Sequence, residues 1–297
     1  MSTGDISIAT SIAPGARLDV QQVAVASWLD QGFSVLSLNA MEEIGNLERH
    51  FPGVDFVPAS RTAKPFIGKP LVFVNDLLDA LGRRSEPIVG IVNSDIRIDA
   101  RAGLADFIAR HSSDGLLFGP RLDVRSWDDP DGRQDPFGFD LFFFPRVMAG
   151  IWPPTRFCLG QGYWDFWMPL TAILQNKPAR KIVPPVARHI VHETRRNEAF
   201  FLFADAFARV VSEYMGDSTF GEGFAPDAYV RLREALESTP ENQHMRAMEE
   251  FARYIDALTR YVIRFIDSNA EMIAPPAADA RARSSGVPIS MNGKSPT

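Results

Sequence analysis

The stretch PIVGIVNSDIRID, Pro87–Asp99, decides the fold of this 297-residue chain. It begins with an apolar, β-branched run that only Gly90 interrupts. Such a run predicts a strand buried on both faces, as in a parallel sheet covered by helices. Three small polar residues follow the run: Asn93, Ser94 and Asp95. Ligands of open α/β sheets bind outside the carboxyl ends of the strands, so we expect these side chains to face a ligand.

Strands and helices alternate upstream of this stretch. The predicted strands are Ile6–Ile12, Ser34–Leu38 and Val54–Val57, and the predicted helices are Leu18–Leu29, Met41–His50 and Pro70–Leu81. This order predicts an α/β fold with a Rossmann-like, doubly wound, mostly parallel sheet flanked by helices.

Beyond Asp95 the pattern is less regular. The predicted elements are a helix at 102–110, strands at 115–124 and 137–144, and a strand region at 179–192. Between the first two of these strands, residues 127–136 form an acidic stretch punctuated by proline and glycine. We interpret that stretch as a solvated, mobile loop.

From Asn197 onward the chain is predicted to be helical. An apolar seam at alternating three- and four-residue steps suits packing on the main domain or pairing in a homodimer. Its members are Met245, Met248, Phe251, Ile255, Leu258, Val262 and Phe265. We therefore divide the chain into a main domain (1–196), a C-terminal helical extension (197–273) and a disordered tail (274–297).

Composition narrows the class of protein. The formal net charge of -6 and pI near 5.4 argue against a broad nucleic-acid-binding surface. The single cysteine, Cys158, excludes an intrachain disulfide framework and fits a reducing compartment. The amino terminus does not resemble a signal peptide, and no apolar run approaches a membrane span. We expect a cytoplasmic protein without a membrane span.

Several motifs, taken in chain order, resemble glycosyltransferases of the GT-A fold, particularly their family-2-like bacterial members. The resemblance covers roughly Ile6–His192. The motifs are TSIAPGARLDVQQVAVASWL at 10–29, Asn93-Ser94-Asp95 as a counterpart of Asp-X-Asp, GQGYWD at 160–165, and the late histidines His189 and His192.

The resemblance implies transfer of a sugar from a nucleotide-diphosphate donor to a hydroxyl of an unknown acceptor, with inversion. Asp165 is the candidate general base, since a carboxylate must take the acceptor proton. Neighbouring aromatic residues would partly desolvate it and raise its pKa. The residues assigned to the acceptor side are Asp140, Gly162, Trp164 and Trp167.

A divalent metal, Mn²⁺ or Mg²⁺, is implied at Asp95 and the late histidines. His189 and His192 lie three residues apart, which on a strand places them on opposite faces. We therefore expect at most one of them to reach the metal, and prefer His192. Asn93 replaces the first acid of the motif and adds no charge, which leaves metal dependence open.

The donor diphosphate is assigned to residues that follow the early strands or form the tripeptide. They are Thr10, Ser11, Arg17, Arg61, Lys69, Asn93, Ser94 and Asp95. One alternative is a catalytically inactive protein that binds a nucleotide sugar or a partner. A nucleotidylyltransferase is disfavoured, because SIAPGARLD supplies only one glycine and one arginine for a triphosphate loop.

Overall fold

The computed structural model describes residues 5–15, 17–192, 198–215, 234 and 244–277. The helices are α1 (Leu18–Leu29), α2 (Met41–Leu47), α3 (Lys64–Ile67), α4 (Val74–Gly82), α5 (Leu104–His111), α6 (Trp164–Leu174), α7 (Glu198–Met215) and α8 (His244–Asn269). The strands are β1 (Ile6–Thr10), β2 (Ser34–Asn39), β3 (Val54–Pro58), β4 (Ile88–Val92), β5 (Ile96–Ile98), β6 (Leu116–Val124), β7 (Arg133–Pro145), β8 (Ala179–Ile182), β9 (Ala187–Ile190) and β10 (Glu271–Ile273). None of the helices in the described ranges has the length and hydropathy needed to cross a bilayer.

The described strands form one sheet in the order β10-β8-β6-β7-β4-β1-β2-β3, with β9 beside β6 and β5 beside β9. Most neighbouring strands are parallel, including β4-β1, β1-β2 and β2-β3. β7 is antiparallel to both of its neighbours, β4 and β6. The predicted fold class, an α/β fold with a mostly parallel sheet flanked by helices and followed by a helical extension, is confirmed.

Strand β4 lies in the interior of this sheet and is buried on both faces, as predicted. Ile88 and Val92 pack in the apolar cluster that includes residues of α1 and α5. Val89 and Ile91 pack in the other cluster, with residues of α4 and α6. The apolar clusters on both faces of the sheet therefore include residues of this one strand.

The C-terminal helices belong to the same core. Phe251, Ile255, Leu258 and Val262 of α8 are buried in the cluster that contains residues of α6 and α7. The described part of the seam is thus covered within the chain, although Ile266 rather than Phe265 continues its buried stripe. The side chains of Met245 and Met248, and the predicted disordered tail from 278 onward, lie outside the described residues.

Several elements differ from the prediction. The helix expected from Pro70 begins at Val74, and the strand region 179–192 is two short strands. The extension contains a strand, β10, which pairs with β8. Strand β7 begins at Arg133, within the predicted loop. These segments are short or polar and lack an apolar periodicity that could have predicted them. They are strands because they pair with neighbouring strands.

Gly90 is required where β4 passes β7, so we predict that Gly90→Ala destabilises the protein. A Cβ at this position would clash with the backbone oxygen of Phe142 and the ring of Phe143. Overpacking of this kind costs about 1–3 kcal/mol. Urea unfolding should show that loss, whereas the control Gly45→Ala, on an open helical surface, should be neutral or slightly stabilising. Equal stability of the two variants would contradict the prediction.

Candidate active site

The tripeptide after β4 meets β7 at the carboxyl edge of the sheet. Because β7 runs antiparallel to β4, with Val92 opposite Leu141, Asp140 lies beside Asn93. The amide of Asn93 donates from Nδ2 to Oδ1 of Asp140 over 2.5 Å. Ser94 donates from Oγ to Oε1 of Gln21 on α1 over 2.7 Å. Asn93 and Ser94 thus fix the turn that presents Asp95.

Asp95 faces both late histidines. Its Oδ2 lies 3.4 Å from Nε2 of His189 and 3.9 Å from Nε2 of His192. One ligand atom from each residue can be chosen so that all lie within 4.8 Å of one another. The expectation that at most one histidine reaches this point is wrong, because both lie close to Asp95. Strand β9 ends at Ile190, so the alternation of a strand does not extend to His192.

Electrostatic coupling joins Asp95 and His189. Burial favours a raised pKa of Asp95, but the hydrogen bond and charge of His189 and the charge of His192 outweigh it and lower the pKa. Burial in turn favours a lowered pKa of His189, and the hydrogen bond and charge of Asp95 raise it instead. The pair therefore favours an anionic aspartate facing a protonated imidazole ring.

Arg121 on β6 is the centre of a polar cluster with Asp123, Asp135 and Asp140, and it was not among the residues predicted from the sequence. Its Nε contacts Oδ1 of Asp123 at 2.9 Å, Nη2 contacts Oδ2 of Asp135 at 2.9 Å, and Nη1 contacts Oδ2 of Asp140 at 2.7 Å. Burial opposes its charge, but the three carboxylates raise its pKa. The sequence does contain a signal for this cluster: Arg121 and Asp123 directly follow the apolar run of a strand.

The backbone around Arg121 is shaped for this contact. The pairing of β6 with β7 is irregular between Pro120 and Leu122, and such bulges redirect side chains. A Cβ on Gly138 would lie 2.8 Å from Oδ2 of Asp135 and 3.3 Å from Nη1 of Arg121. Glycine at 138 therefore allows the strand to pass the ion pairs. Asp135, predicted to lie in a solvated loop, belongs instead to β7 and to this cluster.

Asp165 lies in the first turn of α6. The backbone N–H of Phe139 donates to its Oδ2 over 3.4 Å, while Oδ1 is buried and has no hydrogen-bond partner among the described residues. Burial, and then the negative charge of Asp140, raise the pKa of Asp165 to about 8. A carboxyl group held in this way exchanges its proton near neutral pH, which is a property of general acids and bases.

The residues predicted to bind the donor fall into two groups. Thr10 at the end of β1 is fully buried, and its hydroxyl has no hydrogen-bond partner within the described part of the chain; Ser11 follows it and is half-buried. Arg17 donates from Nη1 to the carbonyl of Ile190 over 3.1 Å, between the two histidines in sequence. These residues lie at the edge that carries Asp95.

The second group of predicted donor-binding residues consists of Arg61 and Lys69. Arg61 pairs with Asp76, with Nη2 2.8 Å from Oδ1, and its guanidinium lies over the ring of Phe73. Lys69 is exposed in the loop between α3 and α4. Arg61 is thus engaged in a structural ion pair.

On the acceptor side the indoles are core residues. Trp164 and Trp167 are 1% and 0% exposed, and they pack on Phe142 and Phe157, respectively. Neither ring offers a face to a ligand in this structure. Gly162 is exposed in the loop before α6.

The donor set of Asp95, His189 and His192 fits a divalent transition metal. Ligand atoms about 2.0–2.2 Å from one metal ion lie roughly 3–3.6 Å apart, close to the contacts of 3.4 and 3.9 Å around Oδ2 of Asp95. Two imidazoles and one carboxylate suit Mn²⁺ or Zn²⁺ better than Mg²⁺, which prefers oxygen ligands.

No protein-family profile matches the chain, and no curated protein matches it in sequence. Solved structures do resemble it. The mannosyltransferase PcManGT from Pyrobaculum calidifontis, in complex with GDP-Man and Mn²⁺, is 13% identical with a TM-score of 0.44, covering 89% of this chain and 86% of its own. TarS from S. aureus, in complex with UDP-GlcNAc, is 12% identical with a TM-score of 0.45, covering 88% and 87%.

A shorter match is 4-diphosphocytidyl-2C-methyl-D-erythritol synthase from Anaerococcus prevotii. It is 12% identical with a TM-score of 0.39, and the match covers 71% of this chain and all of that one. At such identities and TM-scores, the function of this chain has to be inferred from its own residues.

We predict that Asp165 makes the protein less stable as pH rises. Its folded-state pKa of about 8 exceeds the ordinary value near 4. Its stabilising contribution is therefore fully present below about pH 4 and is lost as pH rises to about 8, at up to about 1.4 kcal/mol per pH unit. Asp165→Asn should flatten that slope and raise the unfolding free energy at pH 8.

Denaturant unfolding at a series of pH values measures this effect. The control is Asp128→Asn, which changes an exposed carboxyl and should leave the slope unaltered. Parallel curves for wild type and Asp165→Asn would contradict the prediction.

Proposed function

We propose that this protein is a glycosyltransferase that moves a sugar from a nucleotide-diphosphate donor to an acceptor hydroxyl, with inversion. The proposal is supported by one observation: two different chemical groups meet at the carboxyl edge of β4. Asp95, His189 and His192 form a metal-ligand set. Asp140 connects that edge to Asp165, a carboxyl with a pKa of about 8.

The donor side of the site is Asp95 with the loop after β1. A divalent metal held by Asp95, His189 and His192 would neutralise charge on the leaving nucleoside diphosphate. Arg17 supports the same role, because its guanidinium is anchored at Ile190 and makes no ion pair with a described residue. The hydroxyl of Ser11, which is half-buried just after the adjacent strand β1, would supply a hydrogen bond to the same donor.

The acceptor side is Asp165. An acceptor hydroxyl becomes a nucleophile when a positioned base accepts its proton as it attacks. Oδ1 of Asp165 has no hydrogen-bond partner among the described residues, so its lone pairs are not used by that part of the chain and could accept this proton. Asp140 favours proton uptake through its charge, since the second-largest cause of the raised pKa of Asp165 is repulsion by Asp140.

One observation favours the alternative of a binding protein without activity. Asn93, in the place of the first acid of the motif, uses its amide to bond Asp140. That hydrogen bond leaves Asp95 as the single carboxylate of the metal-ligand set. A protein that binds donor without turnover would satisfy this arrangement, and the two experiments below separate the possibilities.

The donor site is tested by Asp95→Ala. A panel of nucleoside-diphosphate sugars should raise the melting temperature of the wild-type protein in the presence of Mn²⁺, because a ligand of the folded state stabilises it. The variant should lose that shift, since it removes the carboxylate common to both histidine contacts. Asp128→Asn serves as the control. A panel that stabilises Asp95→Ala as much as wild type would exclude this site.

The base is tested by Asp165→Asn. The amide keeps the shape of the side chain but cannot accept the acceptor proton, so transfer should fall by about two to four orders of magnitude with donor affinity retained. Because the base works deprotonated and its pKa is about 8, the wild-type transfer rate should rise with pH up to about 8 and then level.

Transfer and donor binding are measured on the same samples, to separate chemistry from misfolding. Wild-type binding with no transfer to any acceptor supports the inactive alternative. A wild-type rate for Asp165→Asn removes Asp165 from the mechanism.

A further inference from the structure

Asp123 is a conspicuous carboxylate outside the residues already assigned a role. It sits on β6 directly opposite His189 of the parallel strand β9. Its Oδ1 lies 2.9 Å from Nδ1 of His189, and the same oxygen accepts a hydrogen bond from Nε of Arg121 over 2.9 Å. His189 is thus held between two aspartates, with Asp123 at Nδ1 and Asp95 at Nε2.

This arrangement suits the binding of a metal ion through one nitrogen of His189. An ionised carboxylate only accepts hydrogen bonds, so Asp123 favours a ring proton on Nδ1 and Asp95 favours one on Nε2. A metal ion held with Asp95 at Nε2 would take the lone pair of that nitrogen and leave the ring proton on Nδ1, where Asp123 accepts it. A carboxylate placed in this way orients a metal-binding histidine and increases its basicity.

Arg121 fixes Asp123 in turn. It holds Asp123 with Nε while its other two nitrogens hold Asp135 and Asp140 on β7. We propose that Asp123, locked by Arg121, is a positioning residue that presents Nε2 of His189 to a divalent transition metal bound with Asp95 and His192. The inference rests on the metal role given to Asp95, His189 and His192 in the proposed function.

The chain offers a matched pair of variants. Asp123 and Asp135 both pair with Arg121, at 2.9 Å each, but of the two only Asp123 contacts His189. Asp123→Ala should weaken Mn²⁺ binding about 10- to 100-fold, the effect of losing a carboxylate behind a histidine ligand. Asp135→Ala should bind Mn²⁺ within about threefold of wild type, since it leaves the Asp123–His189 contact in place. Asp123→Asn keeps an oxygen that accepts from Nδ1 and should restore part of the affinity.

The measurement is calorimetric titration of the nucleotide-free, full-length protein with Mn²⁺ alone, with Asp95→Ala as the reference for a lost ligand. Equal affinities for Asp123→Ala and wild type, while Asp95→Ala binds weakly, would overturn the inference and leave the proposed function standing. Equal losses in Asp123→Ala and Asp135→Ala would also overturn it, because both would then act through Arg121. Unchanged affinity in Asp95→Ala would remove the metal site itself, and both proposals with it.

A second measurement needs no variant and so does not depend on how Asp123→Ala folds. Long-range ¹⁵N–¹H NMR of the wild-type protein saturated with Zn²⁺, a diamagnetic ion that suits the same ligands, reports which nitrogen of the His189 ring carries the proton. We expect the proton on Nδ1. A proton on Nε2 would contradict the proposed role of Asp123.

Discussion

The ion pairs of Arg121 are the interaction on which the polar edge of this sheet depends. Asp123, Asp135 and Asp140 come from two strands and would repel one another without the guanidinium between them. Removing one member of these pairs would leave a partly buried charge without its partner. The free-energy cost of that unpaired charge exceeds the net stability that the ion pair contributes. The irregular pairing of β6 with β7, in which β7 carries the extra residues, and the absence of a Cβ at Gly138 leave room for that guanidinium.

From Arg121 the contacts extend in two directions. Through Asp123 they reach His189 and then Asp95, the proposed donor side. Through Asp140 they reach Asn93 by a hydrogen bond and Asp165 by charge, the proposed acceptor side. A sugar transfer needs both sides held in one geometry, because reaction requires the acceptor oxygen close to the sugar carbon as the diphosphate leaves.

The carboxyl groups of this edge differ in what surrounds them. Asp95 faces imidazoles, which hold its pKa low, whereas Asp165 is buried near Asp140 and has its pKa raised to about 8. Different environments thus suit the two aspartates to the opposite roles proposed for them, one as an anionic ligand and one as a proton acceptor that works above neutral pH. Arg121 limits the repulsion between Asp140 and Asp165, since its charge lowers the pKa of Asp165.

The sequence by itself determined the features that depend on local pattern. The apolar run of β4 predicted a strand buried on both faces, and its polar end predicted where Asp95 would lie. Alternating strands and helices predicted the mostly parallel sheet, because apolar periodicity follows from which faces are covered.

Only the tertiary structure decided the contacts between distant strands. Asp123 meets His189 through the register of β6 with β9, and Arg121 meets Asp135 through a bulge between β6 and β7. Neither register can be predicted from the apolar periodicity of a single strand. His192 reaches Asp95 because β9 stops at Ile190, where pairing partners rather than residue propensities end the strand.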